Sequence, residues 1–227
     1  MIYILENKNY LFLTCLILGI TTSFSLPPYN LVFINFLTLP ALLYILINHA
    51  VKKFISFFIG WIFGFGYFFS NLYWITNSLT FDVNFKFIIP FALILIPTFL
   101  AIFYGLVTFI CNFFNLRNKI SSILIFSIVF SSIEFLRSFI FGGFPWNLIV
   151  FSLSINLPTL QILPFIGTYS LNLLSITIFL LPTVVFFNYK KSTKFFIISF
   201  GLFLVTINLF YGKFHIDNFE KKNHENL

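Results

Sequence analysis

The stretch at residues 131–153, SSIEFLRSFIFGGFPWNLIVFSL, decides how this chain is read. Glu134 and Arg137 are its only charged residues, and they sit inside an otherwise apolar run. A spacing of three puts both on one face of a helix, where they can pair. The helical pattern then breaks at Gly142 and Gly143, and Pro145 and Trp146 follow. Charges are costly in such a segment unless they are satisfied or functional. Most of the remaining sequence is hydrophobic and carries no chemistry of its own, so a functional reading has to pass through this point.

Working outward, composition sets the class. Of 227 residues, 59% are hydrophobic and only 8% charged. A soluble domain carries about 25% charged residues, so this chain could not clothe a water-facing surface. It reads as an all-α integral membrane protein. A helix needs about 20 apolar residues to cross a bilayer. Apolar runs at 10–26, 31–47, 54–74, 87–113, 120–141, 160–187 and 195–211 therefore predict a bundle of about seven transmembrane helices. Residues 1–212 form the multispanning domain, and 213–227 form a polar tail. Residues 21–25 lack a small-residue cleavage pattern, so the first run is an uncleaved helix rather than a signal peptide.

The net charge of +7 does not point to nucleic acid. Most basic residues fall in short loops between apolar runs, where they set topology. Lys52, Lys53, Arg117, Lys119, Lys190, Lys191 and Lys194 occupy alternate loops, whereas the opposite side has only Lys86 and Arg137. The richer side is cytoplasmic, which predicts a cytoplasmic N-terminus and a periplasmic C-terminus. The turn at Gly142–Trp146 then lies at the outer end of the fifth span, with Tyr73, Trp74 and Asn77 at a membrane–water boundary.

Self-contained enzyme chemistry is hard to find. Cys15 and Cys111 lie inside predicted spans, far apart, and read as inert buried thiols. His215 and His224 are in the tail and His49 ends a helix, so no nucleophile–base arrangement, metal-ligand cluster or phosphate loop emerges. No metal or cofactor is expected. Gly60, Gly64 and Gly66 carry the small-residue spacing that lets helices approach closely. For the polar cluster two readings stand. One is a helix-end ion pair with Trp146 as interfacial anchor. The other is a lipid head-group site, in which Glu134, Arg137, Phe144, Pro145 and Trp146 contribute. There Arg137 meets phosphate through its planar, two-donor fork, and Trp146 packs on acyl chain or glycerol.

The run EFLRSFIFGGFPWN at 134–147 resembles the signature of bacterial apolipoprotein N-acyltransferases, E-x-x-R before a G-F-P-W turn. Three further segments fit in order: FSLPPYNLVFINFLTLPALL at 24–43, GWIFGFGYFFSNLYWITNSL at 60–79 and PFIGTYSLNLL at 164–174. The likeness covers roughly residues 11–211. It implies an inner-membrane protein of lipoprotein maturation, with phospholipid and apolipoprotein as substrates. An acyl chain passes from phospholipid to a cysteine thioester and then to the lipoprotein's N-terminal amine. The family's catalytic Glu, Lys and Cys belong to a nitrilase-like domain after the seventh helix. Here the sequence reaches HIDNFEKKNHENL at 215–227 where that domain is expected. No residue inherits a catalytic role, and a separate nitrilase-like chain is one implied partner. Split enzyme, truncated product and fragment all fit this reading. The alternative function is a non-catalytic transporter or lipid-handling scaffold, against which the scarcity of mid-span charges counts.

Overall fold

The structure is a computed structural model that describes residues 8–49, 52–140 and 143–225. Gly142, half of the expected break after the fifth span, lies outside them. In hydrocarbon a backbone must satisfy its own polar groups, and a helix does so within one segment. The described residues accordingly contain helices and no strands. In chain order these are α1 (Lys8–Ser23), α2 (Asn35–His49), α3 (Lys53–Asn71), α4 (Ile89–Phe113), α5 (Ile120–Arg137), the one-turn α6 (Leu157–Leu160), α7 (Leu163–Phe179) and α8 (Lys191–Glu225). Tighter 3-10 segments join them, at Tyr73–Thr80 and Ile149–Ile155 among others. Pro164 stands in the first turn of α7, where its missing N–H costs nothing. Gly167 takes φ +75° and breaks that helix near its start.

Among the described residues six segments are long and apolar enough to cross a membrane: Val32–His49, Lys53–Asn71, Lys86–Phe113, Ile120–Arg137, Leu163–Phe186 and Lys191–Phe219. They match the second to seventh of the expected spans. The first expected span forms α1, whose 16 described residues cover about 24 Å, short of a hydrocarbon core of about 30 Å.

The packing centre is α3, held between α1 and α4. Its glycines face both neighbours. A Cβ on Gly64 would meet Tyr104 Cβ at 2.8 Å and Ala101 Cα at 3.1 Å, and one on Gly66 would press on the backbone of Leu16. Only a hydrogen in place of the side chain allows this approach. Two reciprocal hydrogen bonds lock the α3–α4 seam. Ser56 Oγ donates to the Thr108 carbonyl at 2.6 Å, and Thr108 Oγ1 donates to the Ser56 carbonyl at 2.7 Å. Phe63, Tyr67, Phe68, Tyr104, Phe126 and Phe130 fill the buried space between α3, α4 and α5.

The charged loops separate by end. Lys53 Nζ sits 3.7 Å from the Phe113 ring centroid, and the Ile120 N–H donates to Tyr189 Oη at 3.3 Å. These contacts gather the three basic loops at one end of the bundle. At the other end Ser70 bonds Ser23 at 2.9 Å, and the rings of Trp74 and Trp146 lie 5.8 Å apart. The last helix, α8, is peripheral. It rests on α6, where Asn208 Nδ2 donates to the Thr159 carbonyl at 3.1 Å and Gly212 packs on the Pro158 backbone. It continues unbroken from the apolar run into the polar tail, as far as Glu225.

Candidate functional site

The site is assembled where α5 ends. Three polar residues on its inner face, Ser127, Ser131 and Glu134, follow helical spacing and are buried. Glu134 is fully enclosed. Its Oε1 accepts a hydrogen bond from the Tyr104 hydroxyl at 3.0 Å, and its Oε2 accepts one from Asn172 Nδ2 at 2.6 Å. Asn172 Oδ1 in turn accepts from the Val150 N–H at 2.9 Å. One carboxylate thus ties together α4, α5, α7 and the segment Ile149–Ile155. Without such partners a buried carboxylate would carry a large desolvation cost.

Arg137, one turn further along, is 1% exposed. Its Nη2 lies 3.7 Å from Glu134 Oε1, and its closest polar contact is the Trp146 carbonyl, to which Nη2 donates at 3.0 Å. The guanidinium lies over the Phe68 ring at 5.1 Å and near the Phe144 ring at 5.9 Å, contacts that favour a cation over an aromatic face. Among the described residues Arg137 Nε and Nη1 have no hydrogen-bond partner. Five donors on a buried cation normally find acceptors, so these two nitrogens are the unpaired part of the cluster among the described residues.

Arg137 is among the residues that line a cavity of about 310 Å³. Leu95, Ile96, Phe99, Leu100 and Phe103 of α4 form one side, and Arg137, Ile140, Gly143 and Phe144 form the other. Leu95, Phe99 and Ile140 are exposed on the apolar flank, so the cavity opens sideways, where a membrane would lie. A single cation at the back of an apolar recess fits a molecule with an anionic head and hydrocarbon chains.

The expected site residues therefore divide. The structure brings Arg137 and Phe144 together on the cavity. Glu134 stands behind them, with both oxygens engaged by protein and no place on the cavity wall. Pro145 and Trp146 are exposed, and the Trp146 indole, 56% exposed, lies beside Trp74 rather than inside the cavity. Tyr67, Tyr104 and Asn172 complete this cluster and are not among the site residues expected from the sequence. The available signal was the presence of hydrogen-bonding side chains inside runs that otherwise have none.

Comparison with known proteins bears on this geometry. Residues 18–181 match the apolipoprotein N-acyltransferase N-terminal domain. The chain belongs to that family. Among relatives named apolipoprotein N-acyltransferase, that of Brucella melitensis is 31% identical over 205 residues, covering 86% of this chain and 37% of the relative. That of Rhizobium rhizogenes is 30% identical over 182 residues, covering 76% and 34%. The chain thus spans about a third of the length of these curated relatives. The family match runs from within α1 to Leu181 and includes the buried polar knot and the cavity, while α8 follows it. The chain is a multi-pass membrane protein of the apolipoprotein N-acyltransferase family.

Proposed function

We propose that this chain is the membrane half of an apolipoprotein N-acyltransferase of the inner membrane, working with a nitrilase-like catalytic unit. The cavity admits a phospholipid laterally, with its phosphate at the free edge of Arg137 and its chains along Leu95, Phe99 and Phe103. Phe144 closes the inner wall and Trp146 packs on the glycerol region. Glu134 holds the helices that shape the cavity and does not touch the lipid. The acyl transfer itself, from phospholipid to a cysteine thioester and on to the N-terminal amine of an apolipoprotein, takes place on the catalytic unit.

The observation that carries this reading is Arg137, a buried cation with two nitrogens unpartnered among the described residues, in the lining of a laterally open apolar cavity. Arginine suits phosphate because its planar fork offers parallel donors. Retention of phospholipid and of diacylglycerol by the detergent-purified chain, followed by native mass spectrometry, tests it. Phospholipid should be retained in preference to diacylglycerol, and Leu100→Trp, which fills the cavity without touching the polar knot, should abolish retention. Equal retention of both lipids, or an unaffected Leu100→Trp variant, would remove the cavity from the account.

A further inference from the structure

The cavity leaves unexplained why two polar residues at the C-terminal end of α3, and Trp74 just beyond it, meet one short strap. Tyr67 and Asn71 are four residues apart and share a face of α3. Both meet Asn147: the Tyr67 hydroxyl donates to its carbonyl at 3.0 Å, and its side-chain amide donates to Asn71 Oδ1. Asn147 adopts φ +57°, a left-handed conformation that residues with a Cβ occupy at a cost and that asparagine tolerates better than most. The carbonyl one residue earlier, that of Trp146, is held by Arg137. Two consecutive carbonyls are thus fixed from two different helices. Three residues beyond Asn71, Trp74 places its ring 5.8 Å from that of Trp146, tilted by 58°.

We infer that the C-terminal end of α3 and the segment after it position Trp146: Tyr67 and Asn71 hold the backbone of Asn147, while Trp74 limits the indole from the side. The Tyr67 hydroxyl is not needed for packing, whereas Asn71 Nδ2 also donates to the Ser23 carbonyl of α1 at 3.4 Å. The Tyr67 ring is already stacked on Tyr104 at 5.6 Å and edge-on to Phe68 at 5.2 Å, so its oxygen is separable from its packing. An indole that is more than half exposed, on a strap without regular structure, would otherwise exchange between rotamers on a short timescale. Held in this way, it presents one face at a constant angle beside the residue that lines the cavity. The proposal rests on the lipid reading only in giving Trp146 a lipid to meet; the positioning stands on the contacts alone.

The exciton couplet that a close indole pair gives in far-ultraviolet circular dichroism tests it, with the full chain in phospholipid nanodiscs. Trp61→Phe should leave the couplet in place, and Trp146→Phe should remove it. In Tyr67→Phe the held conformer should lose about five-fold in relative population, the shift expected for one neutral hydrogen bond lost. Asn71→Ala should do the same, whereas Asn71→Asp, which keeps the acceptor oxygen, should retain the couplet. An unchanged couplet in both Tyr67→Phe and Asn71→Ala overturns the inference. Phospholipid retention on the same samples separates the two readings: reduced retention with an unchanged couplet sinks the positioning role and leaves the cavity reading standing.

Discussion

The segments Ile120–Arg137 and Lys191–Phe219 are both apolar, both helical and both long enough to cross a membrane, yet over an apolar stretch of 18 residues 56% of the first is buried in the protein and only 11% of the second. What separates them is where polar side chains fall. On α5, Ser127, Ser131, Glu134 and Arg137 recur on the inner face, and each must be enclosed by protein. On α8 the polar groups inside the apolar run, Ser199, Thr206 and Asn208, are few and uncharged, and its phenylalanines are exposed. Hydrophobicity puts a helix in the membrane. Buried polarity decides whether it stands inside the bundle or at its edge.

This contrast is open to attack by mutation. Arg137→Met should have the largest effect on stability, about 3 kcal/mol, because it leaves Glu134 enclosed without its neighbouring cation and frees the Trp146 carbonyl. Reversible unfolding in mixed micelles measures it. Gly64→Val should cost less, about 2 kcal/mol, by forcing a side chain against Tyr104 and Ala101. That cost should appear in the same unfolding assay as an earlier midpoint, and it should add imperfectly to Tyr104→Phe, since Tyr104 serves both seams. Tyr104→Phe alone removes the donor to Glu134 Oε1 and should lower stability by about 1 kcal/mol. The smallest effect belongs to α8. Phe203→Leu, at a 57% exposed position, should stay within about 0.5 kcal/mol. A Phe203→Leu loss as large as that of Tyr104→Phe would show α8 to be packed against protein rather than lying at the edge.

Sequence reasoning reached the membrane class, the second to seventh helices and the small-residue packing of α3, because each follows from local composition or short spacing. Gly60 and Gly64 do meet α4, and the basic loops do gather at one end. The site was only half legible. Glu134 and Arg137 announced themselves as charges in an apolar run, and their spacing placed them together. Their separate fates depended on partners 30 to 38 residues away in sequence, Tyr104 and Asn172, which no local pattern specifies. Nor could spacing show that the Trp146 carbonyl, rather than Glu134, would be Arg137's nearest polar contact. The continuation of α8 through the polar tail was also hidden, since polar residues of that kind are compatible with helix or loop.

The central claim, that the free edge of Arg137 receives a lipid phosphate, can be tested at the atoms concerned. Arg117 and Arg137 are the only arginines in the sequence, so nitrogen-15 labelling of arginine yields two guanidinium sets, and Arg117→Lys leaves one. Phosphorus-to-nitrogen dipolar dephasing in solid-state NMR of that variant in phospholipid bilayers reads the contact directly. The account predicts strong dephasing of the Arg137 guanidinium, lost when Leu100→Trp fills the cavity. A well-resolved Arg137 signal with no phosphorus dephasing would contradict it.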